Sequence, residues 1–167
     1  CILDRMIVKG YEVSAPVGVC TGIKVADTWY TTRSEMPTPK VSVAKNRVSV
    51  TGISFGSAGM GVTESWTFTI DNNQITWKIE RTFLAAGILE DSYFPVWEFN
   101  DISTWSGGIL GNGGVVWNRF LDKPNSTYAA HTGKVTFWNK ENDICLRIIP
   151  GLSSGLVAAT RFSHQPN

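Results

Sequence analysis

Residues 61–84 read GVTESWTFTIDNNQITWKIERTFL, with apolar and polar side chains alternating on both sides of Asn72-Asn73. This pattern predicts two β-strands joined by a tight turn, because Asn tolerates the left-handed backbone that a two-residue turn requires. If Asn72 and Asn73 form the turn, the cross-strand pairs follow directly: Asp71 with Gln74, Ile70 with Ile75, Phe68 with Trp77, Trp66 with Ile79, and Glu64 with Arg81. We therefore expect the chain to be organised around this hairpin.

The register gives the hairpin one apolar and one polar face. The apolar face would carry Val62, Glu64, Trp66, Phe68, Ile70, Ile75, Trp77, Ile79, Arg81 and Phe83. A slip of one residue would turn every side chain to the other face, so this face is predicted to be the core. Glu64 and Arg81 face each other within it. Either the pair closes the end of the core where both groups reach water, or it belongs to a polar site between two sheets, since a buried charge pair needs full hydrogen bonding.

The same alternation continues through most of the chain. It predicts a second hairpin over 40–51 with its turn near Lys45-Asn46, and strands within 5–8, 17–20, 23–32, 93–100, 115–120, 128–131, 134–138, 144–149 and 156–162. Pro95 makes the 93–100 segment an edge strand or a bent one. Residues 52–61 are rich in Gly and Ser and predict a loop or an irregular edge, and residues 105–114 predict a glycine-rich loop. Residues 139–143 predict a hairpin loop, and 85–91 is the one candidate helical fragment. The prediction is an all-β antiparallel sandwich, supersandwich-like, with little or no helix.

Composition limits the classes of protein to consider. The chain has 167 residues, of which 43% are hydrophobic and 17% charged, with a net charge of +1. This predicts one globular domain over residues 1–167 and gives no reason to expect nucleic acid or a membrane as a partner. The chain starts at Cys1 without an initiator Met, so we expect a fragment of a larger protein.

Three cysteines, Cys1, Cys20 and Cys145, are too few and too widely spaced for a disulfide framework or a Cys-x-x-Cys metal site. Cys20 and Cys145 lie in apolar, strand-like segments. Buried free thiols are expected at both positions, and a single Cys20–Cys145 bridge in an exported protein remains the alternative.

Aromatic residues are abundant, with seven Trp, eight Phe and four Tyr. An indole ring stacks on the apolar face of a sugar while nearby amides and carboxylates bind its hydroxyls. One third of the chain combines these residue types. The predicted carbohydrate-binding residues are Trp97, Glu98, Asp101, Trp105, Trp117, Asn118 and Arg119. The same rings are also needed for the core, so composition alone does not choose between the two roles.

Catalytic signals are weak. Glu90, Asp91, Glu98 and Asp101 offer carboxyl groups for glycoside hydrolysis, but no motif selects a pair. His131 lies in a predicted strand, where a structural role is favoured over a general base. Residues 107–114 lack the Lys-Ser/Thr of a phosphate loop, no nucleophile elbow is present and no His or Cys spacing fits a metal. No cofactor, metal ion or catalytic residue is predicted.

The central hairpin resembles the β-supersandwich domains of the galactose-mutarotase-like superfamily. The residues that carry the resemblance are Glu64, Trp66, Phe68, Ile70, Asp71, Ile75, Trp77, Ile79 and Arg81. Such domains often stand at the N-terminus of multidomain bacterial glycoside hydrolases, ahead of an (α/α)-barrel catalytic domain. Free-standing mutarotases are much longer and use catalytic His and Glu motifs that are not recognisable here.

The resemblance implies a non-catalytic accessory domain of a carbohydrate-active enzyme, supporting or contributing to glycan binding. The implied partners are an oligosaccharide or polysaccharide and a neighbouring catalytic domain of the same chain, working outside the cell or in the periplasm. Two alternatives remain: a small stand-alone carbohydrate-active enzyme with paired carboxylates near Glu98 and Asp101, and a lectin-like structural surface protein.

Overall fold

A computed structural model describes residues 1–14, 16–98, 105–110, 127–131, 134–151 and 159–163. These residues form an all-β, antiparallel, sandwich-like structure without helix, which confirms the predicted fold class. The strands are β1 (Ile7–Val8), β2 (Tyr11–Glu12), β3 (Cys20–Val25), β4 (Thr28–Thr31), β5 (Lys40–Ala44), β6 (Arg47–Ser57), β7 (Met60–Asp71), β8 (Gln74–Phe83), β9 (Asp91–Val96), β10 (Gly107–Leu110), β11 (Thr127–His131), β12 (Val135–Asn139), β13 (Ile144–Ile148) and β14 (Ala159–Ser163).

The chain divides into two compact units. The first contains Cys1–Ile7 and Glu12–Asn100, and the second contains Val8–Tyr11 and Asp101–Asn167. The first unit holds a four-stranded sheet, β5-β6-β7-β8, and a three-stranded sheet, β4-β3-β9. The second holds β10-β12-β13 and the pair β11-β14. That residues 1–167 form one domain stays a prediction.

The four-stranded sheet is a meander whose central hairpin has the predicted register. Strands β7 and β8 pair Glu64 with Arg81 and continue in step to Asp71 with Gln74. Asn72 takes a φ of 49° at the turn. Strands β5 and β6 pair Lys40 through Ala44 with Thr51 through Arg47, which confirms the second hairpin and its turn at Lys45-Asn46.

Of the two alternatives for residues 52–61, the loop is wrong and the irregular edge is correct, because β5 pairs with β6 only as far as Thr51. Strand β6 continues through this segment to Ser57 and pairs with β7 as far as Met60. The register shifts between Val50 and Ile53, where Gly52 takes a φ of +79°, so the glycine forms a β-bulge and the strand does not end. The tight turn lies at Ala58 and Gly59.

The segments on either side of this sheet also differ from the predictions. Residues 23–32 form two strands, because Ala26 and Asp27, with φ of 48° and 62°, reverse the chain between β3 and β4. Residues 85–91 form no helix. The chain stays irregular up to Glu90 and then enters β9, the predicted edge strand, which pairs with β3 through a register shift.

The core of the first unit lies between its two sheets. Ile23 of β3 packs with Met60 and Val62 of β7, and Tyr30 and Phe55 pack against this group. A second cluster joins Val50, Ile53 and Trp66, with further apolar side chains of β6, β7 and β8 around it. The apolar face of the central hairpin is therefore the core-facing one from Val62 to Trp66. Ile70, Ile75 and Phe83 on the same face are exposed, so the prediction that the whole face is core is wrong at these positions.

In the second unit, β12 is central and pairs with β10 and β13. Strand β10 lies inside the 105–114 segment that was predicted as a loop, and the turn between β12 and β13 confirms the predicted hairpin loop. Strands β11 and β14 were predicted within 128–131 and 156–162, and they pair with each other. The predicted strand 115–120 lies outside the described residues.

The three cysteines are free. Cys20 is fully buried as predicted, whereas Cys145 is exposed, so the prediction of a buried thiol there is wrong. Ile144 occupies the buried side of β13, and the next residue of a strand points to the opposite side.

Candidate functional site

Glu64 forms a hydrogen-bonded charge pair with Arg81 inside the first unit. Arg81 Nε donates to Glu64 Oε1 over 2.6 Å, which confirms the predicted contact. Thr21 Oγ1 of β3 and the indole nitrogen of Trp66 donate to Glu64 Oε2 over 2.6 and 2.7 Å. The two side chains are 0% and 3% exposed, so the expectation that both reach water is wrong and the alternative of a polar site between two sheets is correct.

Strand β9 provides two further contacts of Arg81. Arg81 Nη2 donates to the carbonyl of Tyr93 over 3.1 Å, and the Arg81 guanidinium carbon lies 3.8 Å from the centre of the Phe94 ring. Nη1 is buried and finds no hydrogen-bond acceptor among the described residues. Burial lowers the pKa of Arg81, and the attraction of Glu64 acts in the opposite direction.

This arrangement has a structural role. Both oxygens of Glu64 are engaged, and their donors come from both sheets of the first unit, since Thr21 belongs to one and Trp66 and Arg81 to the other. A carboxyl group that transfers a proton to a substrate must be within reach of it, whereas this one is enclosed by the protein. We therefore assign Glu64 and Arg81 to holding the two sheets together.

Two of the predicted carbohydrate-binding residues, Trp97 and Glu98, directly follow β9. Trp97 is half-buried and Glu98 is exposed. Glu98 accepts a hydrogen bond of 2.8 Å from Arg33 Nη2, which also donates to the carbonyl of Gly18 over 3.0 Å. The guanidinium fixes the position of this carboxylate while leaving 45% of the Glu98 side chain accessible.

Trp105 belongs to the second unit, is only 3% exposed and packs on Phe137 with ring centres 5.6 Å apart. An indole buried to this degree offers little of its ring face to a ligand. The remaining predicted residues, Asp101, Trp117, Asn118 and Arg119, lie outside the described residues. A carbohydrate site formed by the whole predicted set stays a prediction.

An aromatic pair that sequence reasoning missed lies on the three-stranded sheet of the first unit. The rings of Trp29 on β4 and Tyr93 on β9 stack with centres 3.9 Å apart and planes 5° apart. Cross-strand register puts Lys24 opposite Trp29 and Gly22 opposite Tyr93. Recognising the Ala26-Asp27 turn in the sequence would have placed Trp29 beside Lys24. The pairing of β3 with β9, which brings Tyr93 to the same place, joins segments that are far apart in the chain and has no local sequence pattern.

Cys20 lies at the start of the same β3 strand and is not a candidate nucleophile. Burial raises the pKa of its thiol, while the positive charge of Arg33 opposes this shift and the carboxylate of Glu98 adds to it. A thiol held neutral and fully covered is chemically inert at neutral pH.

The described ranges contain no cluster of three or more His, Cys, Asp or Glu side chains that could hold a metal ion. Within the same ranges, no helix is long and apolar enough to cross a membrane. Comparison of the chain with protein-family models, with curated proteins and with solved structures finds no match. The resemblance to galactose-mutarotase-like domains therefore stays a prediction.

Proposed function

We propose that this protein is a non-catalytic accessory domain of a glycoside hydrolase that supports or contributes to glycan binding. The observation that carries the proposal is the Trp97-Glu98 pair at the end of β9. Trp97 is half-buried, and the next residue along the chain is a carboxylate whose position Arg33 fixes. Sugar sites combine an aromatic face for the ring with a few oriented polar groups for the hydroxyls, and this pair supplies one of each.

The buried network of the first unit accounts for Glu64 without a catalytic role. Glu64 is the carboxylate at the centre of the inter-sheet network, and its two oxygens are used by Thr21, Trp66 and Arg81. The alternative of a small stand-alone enzyme requires Glu98 to work with a second carboxyl group about 5–10 Å away. Asp101, the expected second group, lies outside the described residues.

The decisive experiment is a titration of intrinsic Trp fluorescence with a panel of oligosaccharides, using the full chain and the variants Trp97→Ala and Glu98→Gln. We expect saturable binding that weakens about tenfold in each variant, which corresponds to the loss of one stacking or hydrogen-bonding contact. Glu80→Gln is the matched control, because Glu80 is also an exposed carboxylate paired with a cation, Lys78. Affinity equal in all four proteins would contradict the assignment of the site.

A hydrolysis assay on the same oligosaccharides separates the proposal from its enzymatic alternative. An accessory domain should leave the sugars intact over a long incubation. Release of reducing ends that is abolished in Glu98→Gln would replace the proposal by a small carbohydrate-active enzyme. Binding without hydrolysis would support a non-catalytic glycan-binding role, which the accessory domain shares with the lectin-like alternative.

A further inference from the structure

The aromatic pair lies on one face of the β4-β3-β9 sheet. Residues directly opposite each other in neighbouring strands share a face, as do alternate residues of one strand. Gly22 and Lys24 therefore share a face with their partners Trp29 and Tyr93. Ile23, between them, points the other way into the core with Met60 and Val62. The pair thus lies on the side of the sheet turned away from the four-stranded sheet.

Gly22 is the residue of β3 that lies opposite Tyr93. It lies on the central strand, between the strands that carry Trp29 and Tyr93. A Cβ atom at Gly22 would lie 3.4 Å from Tyr93 Cδ2, which is an ordinary contact, but 3.0 Å from Thr31 Cγ2 and from the carbonyl oxygen of Tyr30, which is closer than side chains normally approach. Both rings are half-buried, so each keeps part of its surface accessible.

Ion pairs stand at the two ends of this sheet. At one end Lys24 Nζ lies 2.5 Å from Asp27 Oδ1 and 3.7 Å from Glu90 Oε2. At the other end Arg33 bonds both Glu98 and the carbonyl of Gly18, just before β3 begins. The carboxylates of both groups remain partly exposed, with side-chain exposures of 91% for Asp27, 37% for Glu90 and 45% for Glu98.

We propose that this face is a glycan subsite in which Trp29 and Tyr93 contact a sugar ring and the flanking ion pairs bind hydroxyl groups of a neutral, linear oligosaccharide. The inference builds on the proposed function and extends it from the end of β9 across the sheet. Aromatic surface suits the C–H face of a pyranose, and carboxylates accept hydrogen bonds from hydroxyls.

The charges at the site select the class of glycan. The two ion-pair groups contain three carboxylates, Asp27, Glu90 and Glu98, against two cations, Lys24 and Arg33. Both cations already have carboxylate partners, so neither is left to bind the acid group of a uronic acid. Like charges repel, and a polyuronate would meet a net negative surface. Neutral hexose or pentose chains are therefore the expected ligands.

The test is isothermal titration calorimetry of the full chain with neutral oligosaccharides and with oligouronates of equal length. Trp29→Ala and Tyr93→Ala should each raise the Kd for the neutral glycan about tenfold, because either change removes one ring of the stack that the sugar contacts. Trp29→Phe keeps an aromatic ring and should recover most of the affinity. Tyr11→Ala is the control, because Tyr11 is an exposed aromatic residue, 44% accessible, on the separate β1-β2 hairpin. Thermal melts of all variants show whether each remains folded.

The outcomes separate this inference from the proposed function. Glycan binding that falls in Trp97→Ala but not in folded Trp29→Ala or Tyr93→Ala would overturn the subsite and leave the proposed function standing. A lower melting temperature in Trp29→Ala with unchanged Kd would show that the pair only stabilises the sheet. Preference for oligouronates would overturn the ligand class. Absence of binding to any glycan would remove both proposals together.

Discussion

At the scale of single residues, the most informative feature is a charge pair enclosed between two sheets. Removing water from Glu64 and Arg81 costs free energy, which the short contact between them and the donors Thr21 and Trp66 offset. Such a pair need not stabilise the fold more than apolar residues would. Its stronger consequence is that loss of one partner leaves an uncompensated charge in the core.

We expect Glu64→Ala and Arg81→Ala each to lower the free energy of unfolding by about 3–5 kcal/mol, because each leaves the other charge buried and unpaired. The double variant should lose clearly less than the sum of the two, since neither charge then remains. Urea denaturation of the unmodified protein, the two single variants and the double variant gives the four free energies of this double-mutant cycle. Strictly additive losses would mean that the two side chains do not act on each other.

The exposed pair Lys78–Glu80 is the control for this cycle. Its nitrogen and oxygen are 2.8 Å apart, and both side chains are more than half exposed. Hydrogen bonding to Lys78 lowers the pKa of Glu80 in the folded protein. Because solvent screens such pairs, the corresponding single and double variants should change stability very little.

Cys20 and Cys145 should differ in reactivity because one is buried and the other is exposed. A neutral-pH thiol reagent should label Cys145 in the folded protein and Cys20 only after unfolding, because Cys20 is fully covered and burial raises its pKa. A raised pKa also means that the folded state holds this proton more tightly than the unfolded state. The contribution of Cys20 to stability is therefore complete below the ordinary value of 9.0 and declines as pH rises above it.

Mass spectrometry after timed labelling, with and without urea, measures both sites at once. Equal labelling rates for Cys20 and Cys145 in the native protein would contradict the burial of Cys20. In Cys20→Ser, the slowly labelled thiol should disappear. The decrease in stability above pH 9 should also become smaller, because the contribution of Cys20 to it is removed.

At the scale of strands and turns, the β6-β7 hairpin depends on one particular glycine. Gly56 takes a φ of +121°, and a Cβ atom there would collide with the carbonyl oxygen of Met60 across the hairpin. Gly56→Ala should therefore lower the free energy of unfolding by at least about 1–3 kcal/mol, the usual cost of a strained backbone position. Thermal or urea denaturation measures the loss.

Gly59 in the adjacent turn provides the matched control. Apart from Gly59 itself and its two neighbours in the chain, no residue has an atom within 4 Å of where a Cβ would be, so Gly59→Ala should change stability by less than about 0.5 kcal/mol. If both variants lowered the free energy of unfolding by the same amount, the effect would come from replacing any glycine by alanine and not from the close approach at Gly56.

These elements show which parts of the fold local sequence reasoning could predict. Strict alternation over residues 61–84 was enough to give the β7-β8 register and the contact of Glu64 with Arg81. Glycine, however, is ambiguous in a sequence: at Gly52 it forms a bulge within β6 instead of ending the strand. The Ala26-Asp27 turn lacks glycine, asparagine and proline, so the hairpin of β3 and β4 was read as one strand.

The candidate site was less predictable than the fold for a related reason. Trp97 and Glu98 were predicted because they are neighbours in the chain. Arg33 meets Glu98, and Trp29 meets Tyr93, only through the pairing of β3 with β4 and β9. Long-range pairing depends on how sheets assemble and not on residue periodicity. The alternation that identifies a strand does not identify its partner.

At the scale of the whole molecule, the path of the chain links its two compact units. It leaves the first unit after Ile7, contributes Val8–Tyr11 to the second, and returns at Glu12. Lys9 then bonds the side chain of Asp143 within the second unit over 2.8 Å. No single cut of the chain separates the units.

We therefore expect one cooperative unfolding transition, as the prediction of a single domain requires. Circular dichroism, which reports all strands, and Trp fluorescence should give coincident curves in urea. Two separated transitions would instead show that the units unfold independently and that the single-domain prediction is wrong.

The meander of β5 to β8 has a consequence for the order in which the protein folds. Each of its strands pairs with the next one along the chain, so only short loops must close. Strand β3, in contrast, pairs with β9, which lies far from it in the sequence. Because loop closure costs entropy before contacts repay it, the meander is the expected folding nucleus. Val50→Ala in β6 should slow folding, and Ile23→Val in β3 should mainly speed unfolding. Stopped-flow kinetics would show the reverse pattern if the three-stranded sheet formed first.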